Sequence, residues 1–213
     1  MKKIILYLSL ALLVSGCGVT AKPDLNKTGN TPSPKALIVI APAEFADNQF
    51  EQVTTELNRL KIGYDIVSIQ GGTAVSDQGK KQTITITAGE VKPDNYCYVL
   101  FLGGAAMAHI AEDDTLRLLA EEFARAGKPI GAIENGMAVL ANTSLISKKH
   151  VANLVSLKPV LEKAGGILSP ESVFTDGLLV TASTAEHSSD VVGRLGVSYE
   201  QSLEMKVVKP VKK

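Results

Sequence analysis

Five consecutive apolar residues, Ala36-Leu37-Ile38-Val39-Ile40, constrain the fold of this chain more than any other feature. A strand with one wet face alternates apolar and polar residues. An unbroken, largely β-branched run is instead a strand buried on both faces, which needs cover above and below. The flanking pattern supplies that cover. After a loop, Phe50, Val53, Leu57 and Leu60 recur at helical spacing over residues 48–61. Gly63 stands where that helix would end, and Tyr64-Asp65-Ile66-Val67-Ser68 reads as a second strand. Strand, helix, glycine, strand is a βαβ unit, and it implies parallel strands joined by right-handed crossovers.

The theme recurs. Residues 96–102 form a buried strand that ends in Gly103-Gly104. A helix over 114–126 buries Leu116, Leu119, Ala120 and Phe123, and Gly127-Lys128-Pro129 turns it into a strand at 130–133. Glu134-Asn135-Gly136 follows, then a helix through Leu140. Residues 178–182 read as a strand, 188–202 as a closing helix, and 83–88, alternating Ile and Thr, as a small antiparallel ribbon. The expected architecture is a three-layer α/β sandwich with a flavodoxin-like, mostly parallel sheet and helices on both faces.

Ahead of this domain, Lys2 and Lys3 precede an apolar stretch over 4–14 broken only by Ser9, and Ser15-Gly16 lead into Cys17. Basic head, short apolar middle and small-residue cleavage site make a secretory signal. The stretch is too short to span a bilayer, which takes ~20 residues for ~30 Å of hydrocarbon. Val14-Ser15-Gly16-Cys17 resembles the lipobox of bacterial lipoproteins, in which the thiol receives a diacylglycerol and the chain is cut before it. Each buried acyl methylene contributes ~0.8 kcal/mol, so palmitate-length chains anchor without spanning. The expected order is a signal at 1–16, lipidated Cys17 with a disordered tether to residue 35, the domain at 36–202, and a basic tail at 203–213. A flexible tether of that length reaches ~25 Å. Gly18 after the cysteine resembles the enteric pattern sent to the outer membrane. The expected location is therefore the cell envelope, on the outer membrane facing the periplasm if the cell is Gram-negative.

Lys plus Arg and Asp plus Glu balance at 22 each. A nucleic-acid groove needs a basic excess, so no nucleic-acid partner is expected, and the terminal lysines read as a solvated end. With Cys17 committed to lipid, Cys97 has no disulfide partner in the mature chain. It lies mid-strand, as a core residue.

Ligands of open parallel sheets sit beyond the carboxyl ends of the strands. Two such ends carry unusual chemistry: Gly103-Gly104, and the turn Ile133-Glu134-Asn135-Gly136. A strand passing through one residue into a helix is nucleophile-elbow geometry. On spacing alone these glycines serve equally as tight-turn and packing residues.

From residue 35 to about 201 the chain resembles the DJ-1/PfpI (ThiJ) family. The markers are the opening strand at 36–40, Phe45-Ala46-Asp47, Glu51, Leu102-Gly103-Gly104, the run Ala124-Arg125-Ala126-Gly127-Lys128-Pro129, Ala132-Ile133 with Gly136, and Asp176-Gly177-Leu178-Leu179-Val180-Thr181. The resemblance implies a flavodoxin-like fold, a homodimer and, among active members, deglycase, glyoxalase or amidase chemistry on small carbonyl or amide substrates. It also implies an elbow cysteine followed by histidine; here those places hold Glu134 and Asn135. A second family histidine would fall near Leu154, and His109, His150 and His187 match neither histidine position.

Glu51 matches the family glutamate that bonds the cysteine, with Gln49 as the alternative because the loop is two residues longer than usual. If Glu51 faces Glu134, the pair shares a proton, captures a divalent cation, or turns one member to solvent. Glu134 would also resemble an oxidised elbow cysteine, held by helix-start N–H groups. The favoured reading is a lipid-anchored, non-catalytic domain whose pocket, bounded by Gly103, Gly104, Asn135 and Gly136, is open to a small-molecule ligand, with no resident metal or cofactor. The alternative is an enzyme using Glu51 and Glu134 as general acid and base.

Overall fold

The computed structural model of the protein describes residues 34–208. The signal, Cys17 and the tether up to residue 33 lie outside the described residues, as does the tail beyond 208. In chain order the elements are β1 (Lys35–Val39), α1 (Asp47–Arg59), β2 (Tyr64–Ser68), β3 (Gly72–Val75), β4 (Lys81–Ile84), β5 (Ile86–Thr87) and β6 (Tyr96–Phe101). There follow α2 (Ala105–Ile110), α3 (Asp114–Arg125), β7 (Ile130–Ile133), α4 (Met137–Ala141), β8 (His150–Ala152) and α5 (Lys158–Lys163). The last are β9 (Ile167–Ser169), β10 (Val173–Asp176), β11 (Leu179–Ala182) and α6 (Ser188–Val208).

Seven strands form the main sheet in the order β10-β11-β7-β6-β1-β2-β5. Every neighbouring pair is parallel except the β10–β11 hairpin. The opening apolar run explains the layering. Leu37 and Val39 of β1 pack into one core with Leu116, Leu119 and Phe123 of α3. Ala36, Ile38 and Ile40 pack into the other with Val53 and Leu57 of α1 and Val191 and Leu195 of α6. Each large apolar side chain buried this way contributes ~1.5–3 kcal/mol. The three-layer, flavodoxin-like α/β sandwich is therefore the observed fold.

Two expectations change. The 83–88 ribbon divides: β4 pairs antiparallel with β3, whereas β5 adds in parallel to the edge of the main sheet beside β2. Ile84 packs into the α1–α6 layer and Ile86 into the opposite one, so the chain changes layers at Thr85. Helix α6 runs to Val208, not 202, because nothing in Leu203-Glu204-Met205-Lys206 breaks it. The first half of the expected tail is thus helical.

Parallel strands point one way and the returning helices the other. The carboxyl end of the sheet therefore collects strand C-termini and helix N-termini. The amino end collects the C-terminal turns of α1, α3, α5 and α6.

Candidate functional site

β7 ends at Ile133 and the chain turns at once. Glu134 has φ 47° and opens a single 3-10 turn, Glu134–Gly136, that feeds α4. The left-handed region costs an L-residue ~1–2 kcal/mol, which the surroundings must offset. The turn is this tight because of what lies beneath it: a Cβ at Gly136 would fall on the Phe101 carbonyl at the end of β6. Glu134 is thereby lifted over the carboxyl end of the sheet, half-buried.

Its carboxylate is held by two donors from distant parts of the chain. Gln49, in the first turn of α1, is 0 % exposed. The Gly103 N–H donates to Gln49 Oε1 at 2.7 Å. That contact fixes the amide, because only its oxygen can accept. Gln49 Nε2 is left to donate to Glu134 Oε2 at 2.7 Å. On the other side the Ala185 N–H, in the loop after β11, donates to Glu134 Oε1 at 3.0 Å. One chain of hydrogen bonds thus ties β6, α1, the elbow and the loop leading into α6. The helix-start N–H groups expected to hold this carboxylate are not its partners; Gln49 and Ala185 are.

The structure corrects the expected pairing of Glu51 with Glu134. Glu51 is exposed and ion-pairs with Lys80, which also reaches the buried Asp47 at 2.8 Å. Those two carboxylates push the Lys80 ammonium up to about 12, the Asp47 hydrogen bond first and the Glu51 bond second. The reason is helical phase. Gln49, Val53 and Leu57 fall on one buried stripe at intervals of four, whereas Glu51 is turned about 200° from Gln49 at 100° per residue. Gln49 therefore takes the inward place, and of the three outcomes for a facing carboxylate pair, Glu51 shows the turn to solvent.

Gly103, Gly104, Asn135 and Gly136 do come together at this end of the sheet. Gly104 has φ 113°, and a Cβ there would meet the Glu44 carbonyl, so the β1 and β6 loops touch through backbone. Phe45 and Gly104 form a bridge across that contact, and Asn135 Nδ2 donates to the Gly104 carbonyl at 3.0 Å.

Cys97 lies inside β6, buried, with its thiol donating to the Lys35 carbonyl at 3.2 Å. Burial pushes that thiol up to about 11, so it is protonated and unreactive at neutral pH. Among the histidines, His109 is exposed on α2, and His150 Nδ1 sits 3.7 Å from Asp176 at the far end of the sheet. His187 stands in the turn two residues beyond Ala185. Among the described residues no group of three or more His, Cys, Asp or Glu side chains is placed to hold a metal ion.

Comparison with known proteins agrees with this geometry. The profile of the prokaryotic membrane lipoprotein lipid attachment site matches residues 1–17, ending on Cys17. An uncharacterized protein of Methanocaldococcus jannaschii is 31% identical over 193 residues, covering 88% of this chain and 92% of that protein. The crystal structure of a ThiJ/PfpI domain protein from Brachyspira murdochii superposes with a TM-score of 0.75 at 20% identity, over 79% of this chain and 99% of that one. Drosophila melanogaster DJ-1beta gives 0.68 at 19% identity, over 84% and 100%. The DJ-1/PfpI profile itself matches residues 34–194, the elbow, the glycine pair and the opening strand included, and the chain belongs to the DJ-1/PfpI family.

Proposed function

We propose that this protein is a lipid-anchored, non-catalytic DJ-1/PfpI domain that acts as a binding or interaction module of the cell envelope. The observation that carries this reading is that both oxygens of the Glu134 carboxylate are already engaged, by Gln49 Nε2 and the Ala185 N–H. A nucleophile needs a lone pair aimed at substrate, and an acid–base catalyst needs a reacting group within hydrogen-bond reach. Each oxygen of this carboxylate keeps a second lone pair, but the two donors hold its orientation toward Gln49 and Ala185, as a structural acceptor is held.

The two departures from the family pattern support each other. Where the resemblance sets a glutamate against an elbow thiol, this chain sets a carboxamide, Gln49, against an elbow carboxylate. One carboxyl remains, moved across the contact, and it serves as an acceptor that ties loops together. The enzymatic alternative relied on Glu51 facing Glu134, and Glu51 is occupied by Lys80. Gly103, Gly104, Asn135 and Gly136 would then shape the surface that a small ligand meets, and the domain would pair as a homodimer. The anchor would be lipid on Cys17, on the outer membrane facing the periplasm in a Gram-negative cell.

The test is turnover. Mature protein incubated with methylglyoxal or with glutamine is expected to give product no faster than Glu134→Ala. Turnover that this substitution abolishes would overturn the proposal. Mass spectrometry of protein taken from membranes checks the anchor separately: acyl mass on Cys17, absent from Cys17→Ser.

A further inference from the structure

Charges that balance in the sequence are sorted in the fold. Six exposed basic residues, Lys61, Lys92, Arg125, Lys148, Lys163 and Lys206, have no carboxylate within 4.0 Å among the described residues. All six lie at the amino end of the sheet. Lys61 follows α1 just before β2, and Lys92 precedes the turn that opens β6. Arg125, Lys163 and Lys206 occupy the last turns of α3, α5 and α6. Lys148 lies two residues before β8, and its N–H donates to the Gly165 carbonyl beside Lys163.

Direct contacts draw several of these together. Lys206 Nζ donates to the Ala126 carbonyl at 3.0 Å, and Lys92 and Arg125 border one depression of about 550 Å³. Among the described residues, the exposed acids without a cation at this end are Asp94, Glu122, Glu200 and Glu204, fewer than the six basic residues, and Asp94 and Glu122 line the same depression as Lys92 and Arg125. At the carboxyl end the balance reverses: Glu44, Asp77, Glu112 and Glu186 are exposed, and Lys81 is the one exposed cation without a carboxylate among the described residues.

Helix-dipole compensation explains a basic residue in a last helical turn. The second observation is where the chain comes in. The described residues begin at 34, immediately before β1, at the same basic end. Cys17 is seventeen residues earlier, so even a fully extended connection spans at most ~60 Å.

We infer that the amino end of the sheet is a docking surface for anionic lipid headgroups. Lys209, Lys212 and Lys213 follow the same pole in sequence. Basic residues close to an anionic leaflet each strengthen binding roughly fivefold, and the effect fades within a Debye length. A lipid on Cys17 makes the encounter intramolecular, so weak individual contacts suffice. Docked this way, the protein holds its basic pole on the bilayer and points the Glu134 elbow away from it, toward whatever it meets in the compartment.

The inference uses the lipid anchor of the proposed function for its geometry, and its test is independent of that lipid. The mature chain carrying Cys17→Ser is mixed with phosphatidylglycerol-rich vesicles or pure phosphatidylcholine vesicles at low salt and sedimented. At least tenfold more protein is expected on the anionic vesicles. Lys61→Glu, Arg125→Glu and Lys163→Glu combined should reduce that binding by roughly a hundredfold or more, since each reversal removes a favourable charge and adds an opposing one. Circular dichroism confirms that the triple variant is folded. In the lipidated chain on the same vesicles, Lys61 and Lys163 should be protected from an amine reagent while Lys81 reacts freely. Equal binding to both vesicles, no loss in the triple variant, or equal reactivity at the two poles would overturn the inference. So would binding to a soluble anionic polysaccharide without binding to vesicles.

Discussion

The two ends of the sheet treat charge in opposite ways. At the carboxyl end, the acidic groups around the elbow are consumed by the fold: Glu134 joins Gln49 to Ala185, and Asp47 and Glu51 share Lys80, while Glu44, Asp77, Glu112 and Glu186 stay exposed around them. At the amino end, Lys35, Arg59 and Lys149 are ion-paired, but six further basic side chains are left exposed with no carboxylate within 4.0 Å among the described residues. A charge that is internally satisfied stabilises geometry. One left in water is available to a partner. The end that carries chemistry in the family is here built like a joint, and the opposite end like a surface meant to touch something.

The comparison breaks first at Gly136. Gly136→Ala puts a Cβ against the Phe101 carbonyl, a backbone atom that cannot step aside. A loss of about 3 kcal/mol is expected in urea unfolding, the upper range for overpacking. Glu134→Ala ranks next. It strands Gln49 Nε2, which is fully buried, and frees the Ala185 N–H, at a cost of about 2 kcal/mol. Lys163→Ala at the other pole should shift stability by no more than ~0.5 kcal/mol, as for surface substitutions generally.

The smallest effect is a pH dependence. Burial acts to raise the Asp176 carboxyl, but Lys149 and the His150 N–H outweigh it and hold the group below its ordinary 3.8. The unfolded chain therefore takes up this proton first as pH falls. The stability that Asp176 supplies is complete above its ordinary range and is lost as pH drops through the lower folded value. Lys149→Ala should flatten that acid limb in urea midpoints followed from neutral pH to below pH ~4: its small loss of stability is seen at neutral pH and disappears once Asp176 is protonated.

Much of the fold was legible because β1, β6 and β7 are continuous apolar runs that no other environment accommodates. The short strands β3, β8 and β9 carry too few apolar residues to announce themselves, and their pairing partners create them. At the site, the elbow and both glycine turns could be read from spacing. The partner of Glu134 could not be read from a count of residues back from Gly63, which favoured Glu51. The helical phase of Gln49 with Val53 and Leu57 was the better signal, a polar residue on the apolar stripe. The loop after β11 was invisible in advance, because Ala185 contributes only its backbone. The charge poles were hidden for a different reason: no run of one sign exists, and only the topology gathers Lys61, Lys92 and Lys148 at one end.

The central claim is that Gln49 and Glu134 act as one donor–acceptor unit whose job is structural, and a double-mutant cycle tests it most directly. Gln49→Glu alone sets two carboxylates against each other. Glu134→Gln alone sets an amide donor against Gln49 Nε2 or the Ala185 N–H. Each should cost about 1–2 kcal/mol in urea unfolding. Combined, the two substitutions restore every donor to an acceptor, because the carboxylate introduced at 49 still accepts from Gly103 and the amide introduced at 134 can donate to it. The account predicts that the double variant recovers most of the loss, with a coupling of about 1.5 kcal/mol or more. Additive losses with no recovery would contradict it.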